Sequence, residues 1–365
     1  MILEIIFFIS IFLIFYSIFL YPLLLSFITR FYEKKTDIAK PEYKVSLIIA
    51  AYNEEKDIEG KILNSFELDY KDLEIIVVSD GSEDRTNEIC RKYADRINFM
   101  ELKPRSGKIN ALNHAVPLAK GEIIVFSDAN TYYEKNAITE LVKHFHDKSV
   151  GCVTGYVRLI AEGKHKQGEG IYTRIERSIQ INESKIHSVI GIDGAMYAIR
   201  KELYESLKGY FIEDFVMGMN IIRKGYRTIY DVEARGWEES SPGYAVEMKR
   251  RSRIVAGGFQ SLSAMLFLFK RPGLLFFFFS HKFLRWITAE LLITIFILNL
   301  FLLYNPFFTI VLSLQIVFYA LALLGAVWQK VSFFTYFILM QIASLNGLFK
   351  YIFKVQKVTW AKAKR

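Results

Sequence analysis

From Ile5 to Ile28 the chain runs for 24 residues without a charged side chain. As a helix this run is about 36 Å long, at about 1.5 Å per residue, and the hydrocarbon core of a bilayer is roughly 30 Å thick. It is therefore long enough to cross. A secretory signal would have a shorter apolar core, a basic start and a small-residue cleavage site, and these are not seen, so residues 1–30 are expected to be a retained anchor. A second apolar block, Leu291 to Gln329, is too long for one crossing and is broken by Asn305-Pro306, a turn signal, so two spans fit it. A third uncharged run, Val331 to Phe349, contains Gln341, Ser344 and Asn346 and is a weaker span candidate.

Basic residues set the expected orientation. Arg30, Lys34, Lys35, Lys40 and Lys44 follow the first apolar run and almost none precede it, which places the middle of the chain in the cytoplasm. The tail beyond Phe349 carries Lys350, Lys354, Lys357, Lys362, Lys364 and Arg365 and also belongs inside, which favours a last segment that does not cross. The 47 basic and 38 acidic residues give a net charge of +9. Much of that excess flanks the apolar runs, where anionic lipid is the nearer partner, so nucleic-acid binding is not expected. Cys90 and Cys152 alone support neither a disulfide framework nor a cysteine metal cage.

Between Tyr43 and Trp237 apolar, β-branched runs alternate with longer helix-like stretches, the pattern of a parallel sheet covered by helices. Strands are expected at 45–51, 74–79, 97–102, 123–127 and 151–159, and helices at 54–66, 84–94, 108–119 and 135–145. In open α/β sheets ligands gather at the carboxyl ends of the strands. Those ends are polar here: Ala51-Tyr52-Asn53-Glu54-Glu55, Ser79-Asp80-Gly81-Ser82-Glu83-Asp84-Arg85-Thr86 and Ser127-Asp128-Ala129-Asn130. Asp80 before Gly81 suits a carboxylate that grips a base or ribose, although Asp-Gly is also common in plain turns. Asp128 has the alternative of a turn or helix cap, and Glu213-Asp214 that of acids at a helix N-terminus.

These segments, with Gly107-Lys108-x-x-Ala111-Leu112-Asn113 between the second and third, stand in the order found in family 2 glycosyltransferases, which the chain resembles over roughly residues 43 to 260. The order continues with Asp193-Gly194-Ala195, before Tyr197-Ala198-Ile199-Arg200, and then Glu213-Asp214. The resemblance implies an α/β fold of the GT-A (Rossmann-like) type and transfer of sugar from a nucleotide-sugar donor. It also implies nucleoside contacts from Tyr52, Glu54 and Asp80, with Lys108 near the nucleotide, and an acceptor side at Asp193, Gly194 and Glu213. Asp128 and Asn130 occupy the family's Asp-x-Asp position, which holds Mg²⁺ or Mn²⁺ on the diphosphate. Asn130 is a departure, because a neutral amide binds a cation less tightly than a second carboxylate. Asp214 is the candidate general base, since attack by a sugar hydroxyl with inversion needs a proton acceptor, and Glu213 beside it could raise its pKa by like-charge repulsion.

Polymerising members carry Gln-x-x-Arg-Trp where this chain has Arg250, Arg253 and Ile254. Arg250 and Arg253 remain reasonable diphosphate ligands, because guanidinium groups suit phosphate oxygens, or alternatively form a basic patch facing lipid. Loss of the Trp puts processive synthesis in doubt. Residues 261–286 mix aromatic and basic side chains and read as interfacial, with His281 lacking partners for a metal site.

The expected organisation is thus an anchor over 1–30, a cytoplasmic catalytic domain over 43–260, an interfacial segment over 261–286, a membrane region over 287–350 and a basic tail over 351–365, in the cell membrane. The expected reaction passes sugar from a UDP-hexose or UDP-N-acetylhexosamine to a growing β-linked glycan, or in a single transfer to a lipid-linked acceptor such as polyprenyl phosphate. A non-enzymatic transporter or channel with a nucleotide-sensing domain would instead require a Gly-x-Gly-x-x-Gly fingerprint and ionisable residues in the spans. Neither is found apart from Glu290. The enzyme reading requires Asp80, Asp128, Asp214 and Arg253 to converge on one pocket.

Overall fold

The computed structural model describes residues 1–160, 166–208, 212–239 and 243–355, so the expected basic tail lies outside the described residues from position 356 on. The chain forms two compact units. One is built from Tyr32–Ile160 and Glu183–Ser240, the other from Met1–Phe31, Ala161–Asn182 and Ser241–Gln356.

The first unit is an eight-stranded mixed sheet. Its strands are β1 (Val45–Ala51), β2 (Leu73–Asp80), β3 (Asn98–Leu102), β4 (Ile123–Asp128), β5 (Tyr132–Tyr133), β6 (Val150–Ile160), β7 (Met196–Arg200) and β8 (Arg227–Glu239). They lie in the order β3-β2-β1-β4-β7-β6-β8-β5. Val45, Leu47, Ile48 and Ile49 are all buried, so β1 is covered on both faces, as its apolar run from Leu47 to Ala51 requires. Strands β1 to β4 are parallel neighbours, and the order reverses between β1 and β4, which opens a crevice at their carboxyl ends. Strand β7 runs antiparallel to β4 with Met196 opposite Ser127, so the residues just before β7 arrive beside the end of β4.

Strands β5, β7 and β8 were not expected. Two-residue β5 is too short to show a period, and β8 carries Arg227, Asp231, Glu233, Arg235, Glu238 and Glu239, which mask its period. The helix expected from Glu54 begins at Ile58, because the chain around Asn53 turns at positive φ instead. The helix expected over 135–145 is Ala137–Val142 followed by a 3-10 turn, Lys143–His146.

In the second unit the helices Ile2–Ile28, Tyr244–Lys270, Pro306–Leu324 and Gln329–Ile352 are long and apolar enough to cross a membrane. A bent pair, Pro272–Trp286 with Thr288–Phe301, turns by 62° and makes up to five. Phe12, Leu314 and Leu323 are more than half exposed, a surface suited to lipid. The break at Asn305-Pro306 holds: the Asn305 side chain accepts from Phe307 N at 3.0 Å and caps the next helix. The run favoured as non-crossing forms the helix Ser332–Ile352.

His281 differs from its sequence reading. It is fully buried, and its Nε2 lies 2.9 Å from Glu176 Oε1. Lys282 at 2.8 Å and Arg285 at 2.5 Å contact the same carboxylate. Burial favours the protonated acid, but His281, Lys282 and Arg285 together hold Glu176 well below the usual carboxylate range. A partner 105 positions away leaves no local trace in the sequence.

Candidate active site

The loops after β1 and β2 are laced together by side chains of their own motifs. Asn53 N donates to Ser82 Oγ at 3.1 Å, and Asn53 Oδ1 accepts from Glu83 N at 2.8 Å. Glu54 N donates to Thr86 Oγ1 at 2.7 Å, and Glu55 N to Asp84 Oδ2 at 3.1 Å. Ser82, Asp84 and Thr86 therefore build the loop, whereas Tyr52 and Glu54 ride on it. The Arg105 guanidinium lies over the Tyr52 ring, 3.5 Å from its centroid.

Asp80 turns inward. Its Oδ1 accepts from Ser106 N at 2.8 Å and Ser106 Oγ at 3.1 Å, and its Oδ2 from Gly107 N at 2.6 Å. The sequence offered this carboxylate to a nucleoside; the structure gives both oxygens to the Ser106–Gly107 turn, and the residue is 4% exposed. Gly81 follows at φ +68°, and a Cβ there would lie 2.8 Å from Arg105 N, so only glycine lets the two loops meet.

Gly107 precedes the helix Lys108–Leu118, whose first residue points into the crevice. Lys108 Nζ lies 2.7 Å from Asp128 Oδ1, 3.2 Å from the Gly194 carbonyl and 3.3 Å from Glu213 Oε2. One ammonium thus ties the end of β4 to the turn before β7 and to the start of the helix Glu213–Arg223. Desolvation favours neutral Lys108, but Asp128, Glu213 and Asp214 outweigh it and keep the group charged.

Glu213 Oε1 accepts from the buried Tyr197 hydroxyl, and the Tyr197 ring stacks on Phe126 at 4.6 Å. Burial raises the pKa of Glu213, against the pull of Lys108. Asp214 is raised as well. Burial is the main cause there, Lys108 opposes it, and Asp193 and Asp128 add like charge; the expectation from sequence had looked to Glu213 for that repulsion. Asp214 Oδ1 accepts from Phe215 N at 2.6 Å. Asp193 accepts through Oδ1 from Ala195 N at 3.0 Å, which shapes the turn that brings Gly194 against Asp214.

Much of the chain that carries these side chains is matched by known proteins. The profile for "Glycosyl transferase family 2" matches residues 46–207. The probable glycosyltransferase YdaM of Bacillus subtilis (strain 168) is 31% identical over 288 residues, 71% of this chain and 67% of that one. The chain belongs to glycosyltransferase family 2. The poly-beta-1,6-N-acetyl-D-glucosamine synthase of Staphylococcus aureus (strain COL) is 29% identical over 243 residues. That match takes in 63% of this glycosyltransferase and 58% of the synthase, so the chain spans little more than half the length of that relative. The mannosyltransferase PcManGT from Pyrobaculum calidifontis, solved in complex with GDP-Man and Mn²⁺, superposes with a TM-score of 0.74 at 22% identity, over 97% of this chain and 100% of that one. The glycosyltransferase has the GT-A fold.

Lys61 of this glycosyltransferase escaped the sequence reading, and Asn113 and Asn130 were read without their partners. Asn113 of the Gly107–Asn113 motif accepts from the Tyr204 hydroxyl at 2.7 Å and donates to the Leu207 carbonyl at 3.1 Å, and so ties down the segment before Glu213. Lys61, fully buried, donates to the Thr131 carbonyl at 2.5 Å and lies 3.9 Å from the centre of the Tyr133 ring. Asn130 Nδ2 donates to Glu238 Oε2 at 3.3 Å. The motif order marks Asn113 and Asn130 but names positions without partners, and Lys61 lies in none of the motifs. Arg250 and Arg253 stand on the helix Tyr244–Gln260 of the other compact unit, Arg250 lying 3.7 Å from Glu247.

Among the described residues, no three His, Cys, Asp or Glu side chains are placed to hold a metal by themselves. Asp128 and Asn130 suit instead a hard cation that completes its oxygen shell with substrate phosphates.

Proposed function

We propose that this family 2 glycosyltransferase is an inverting enzyme that takes a UDP-hexose or UDP-N-acetylhexosamine and extends a β-linked glycan at the cytoplasmic face of the cell membrane. One observation carries the reading: Lys108 pairs with Asp128, the donor-side acid, and with Glu213, and lies in the field of Asp214, so the candidate leaving-group and base positions meet at the carboxyl end of β4.

In this mechanism an acceptor hydroxyl attacks the anomeric carbon as the bond from that carbon to the diphosphate oxygen breaks on the opposite face. Asp214 accepts the hydroxyl proton, a role suited to a carboxylate made more basic by burial. Tyr52 and Glu54 line the nucleoside end, with Asp80 holding the turn that carries Arg105 and Lys108. Asp128 and Asn130 are the residues that would hold Mg²⁺ or Mn²⁺, which when bound supplies positive charge to the leaving diphosphate. Asp193 and Gly194 shape the acceptor side, and Arg250 and Arg253 serve the diphosphate from residues 243–260. The anchor over 1–30, the catalytic domain over 43–260, the interfacial segment over 261–286 and the membrane region over 287–350 complete the arrangement. Basic residues after the first span support the cytoplasmic orientation.

The name of the staphylococcal relative, a poly-beta-1,6-N-acetyl-D-glucosamine synthase, supports a polymer product. Arg250 and Ile254, where polymerising members carry Gln and Trp, favour the second reading of one transfer to a lipid-linked acceptor. The test is release of nucleoside diphosphate from a panel of UDP- and GDP-sugars with Mg²⁺ or Mn²⁺, followed by sizing of the labelled product before and after lipid extraction. Asp214→Asn is expected to lower turnover by about 10²- to 10⁴-fold. Unchanged turnover in that variant removes Asp214 from the mechanism, and a lipid-extractable product of one sugar decides for the second reading.

A further inference from the structure

An ammonium has three hydrogens to give, and three oxygens surround that of Lys108: Asp128 Oδ1 at 2.7 Å, Gly194 O at 3.2 Å and Glu213 Oε2 at 3.3 Å. In this arrangement Lys108 donates to Asp128 and to the Gly194 carbonyl and pairs its charge with Glu213, so the Asp128 oxygen it touches already faces a cation. A second cation at that oxygen would meet the ammonium at close range, so a lysine that serves the nucleotide beside a metal must let Asp128 or Glu213 go. The two acids differ in what release costs. The Glu213 side chain is 8% exposed and the Asp128 side chain 38%. Stripping the counter-charge from the more deeply buried acid costs more, because water cannot replace it. Glu213 is also braced from behind by the Tyr197 hydroxyl, whose ring is fixed against Phe126.

We propose that Lys108 is a placeholder for the divalent cation: without donor its ammonium occupies Asp128, and when a nucleoside diphosphate arrives it turns to the phosphates while staying tethered to Glu213. Metal then enters Asp128 only together with nucleotide. Glu213 is on this account a positioning residue, acting through Lys108 and not on the acceptor. The inference rests on the reading that Asp128 holds the metal and adds the order in which it is filled.

The test is Mn²⁺ binding, read from the electron paramagnetic resonance signal of the free ion, on the detergent-solubilised full chain. Mn²⁺ is titrated alone and again with the nucleoside diphosphate that the donor assay releases. In wild type the nucleotide is expected to tighten Mn²⁺ by about 50-fold or more, within the usual range of coupling between two ligands. In Lys108→Met, Mn²⁺ alone binds more tightly and the ratio of the two affinities falls about tenfold. Simple repulsion between Lys108 and the ion would raise both affinities equally, so an unchanged ratio overturns the proposal, as does wild-type Mn²⁺ binding that ignores nucleotide. Lys108→Gln gives the same readout if the methionine variant does not fold. Failure of wild type to bind Mn²⁺ even with nucleotide is a different result: it removes the metal from Asp128 and sinks the parent reading too.

Discussion

Gly194 is packed against Asp214 so closely that a Cβ built on it would lie 2.7 Å from Asp214 Oδ2 and 3.2 Å from Asp214 Cβ. The glycine is the space that the candidate base needs. Gly194→Ala must push Asp214 aside, and displacement of a reacting group by about 1 Å costs on the order of 10²-fold in rate. We expect kcat to fall by that much while nucleotide affinity, measured by calorimetry, stays within about twofold. Wild-type kcat in the alanine variant would show that Asp214 does not need its present place.

Asp214 must be ionised to accept a proton, and burial raises its pKa. Activity should therefore fall as the pH drops through a value above the ordinary aspartate range, seen as the acid limb of kcat/KM. The linked stability has a definite sign. A carboxyl whose folded pKa exceeds its unfolded one favours the fold at low pH and loses that contribution as the pH rises through the folded value. Asp214→Asn should then melt higher than wild type at neutral pH, with the gap closing in acid. A gap that widens in acid contradicts the raised pKa.

Tyr197 gives its hydroxyl to Glu213 while its ring stacks on Phe126. Tyr197→Phe keeps the ring and removes only the hydrogen bond, leaving a buried carboxylate oxygen unpaired at a cost of about 1–3 kcal/mol. The expected outcome is a lower melting temperature together with a kcat reduced by roughly tenfold, since that energy is enough to loosen Lys108. A stability loss without any kinetic change would make the tyrosine purely a core residue.

Asn130→Asp restores a second carboxylate at the proposed cation position but places it where the Asn130 amide now donates to Glu238 at 3.3 Å. Two effects of opposite sign follow. Mn²⁺ with nucleotide should bind several-fold more tightly, because a charged oxygen replaces a neutral one. The metal-free protein should melt lower, because two carboxylates then face each other. Titrations and melts with and without Mn²⁺ separate the two; a variant whose Mn²⁺ affinity drops places the metal elsewhere.

Lys61 is fully buried, and desolvation brings its pKa down to about 7, with Asp128 opposing. Unfolded, a lysine titrates near about 10.4, so between these values the unfolded chain binds more protons than the folded one. This group makes stability rise with pH from about 7 upward. Lys61→Met should remove that rise, as measured by melts of the full chain between neutral and alkaline pH. An identical pH dependence in the variant would mean that Lys61 is not buried as described.

The candidate positions were legible because strand ends are local: Tyr52, Asp80 and Asp128 each close an apolar run. Partners are another matter. Lys108 meets Glu213 across more than a hundred residues, and nothing around either states the pairing. The four residues expected to converge, Asp80, Asp128, Asp214 and Arg253, stand as follows. Asp128 and Asp214 share the field of Lys108, Asp80 acts through the backbone of Gly107, and Arg253 belongs to the other compact unit. Tyr197 was read only as part of Tyr-Ala-Ile-Arg, because its ring packs in the core and only its hydroxyl reaches Glu213. Likewise β8 hid behind its charges, because strand periodicity is read from apolar alternation, and paired or surface charges erase it.

Strand β7 enters the sheet against the direction of β4, with Met196 opposite Ser127. The parallel half is finished by Asp128, and the wall opposite it is added later in the chain along a single antiparallel seam. The Asp193-Gly194 turn thereby takes its place from the register of β7, so a slip of one residue along that seam would carry the glycine away from Asp214.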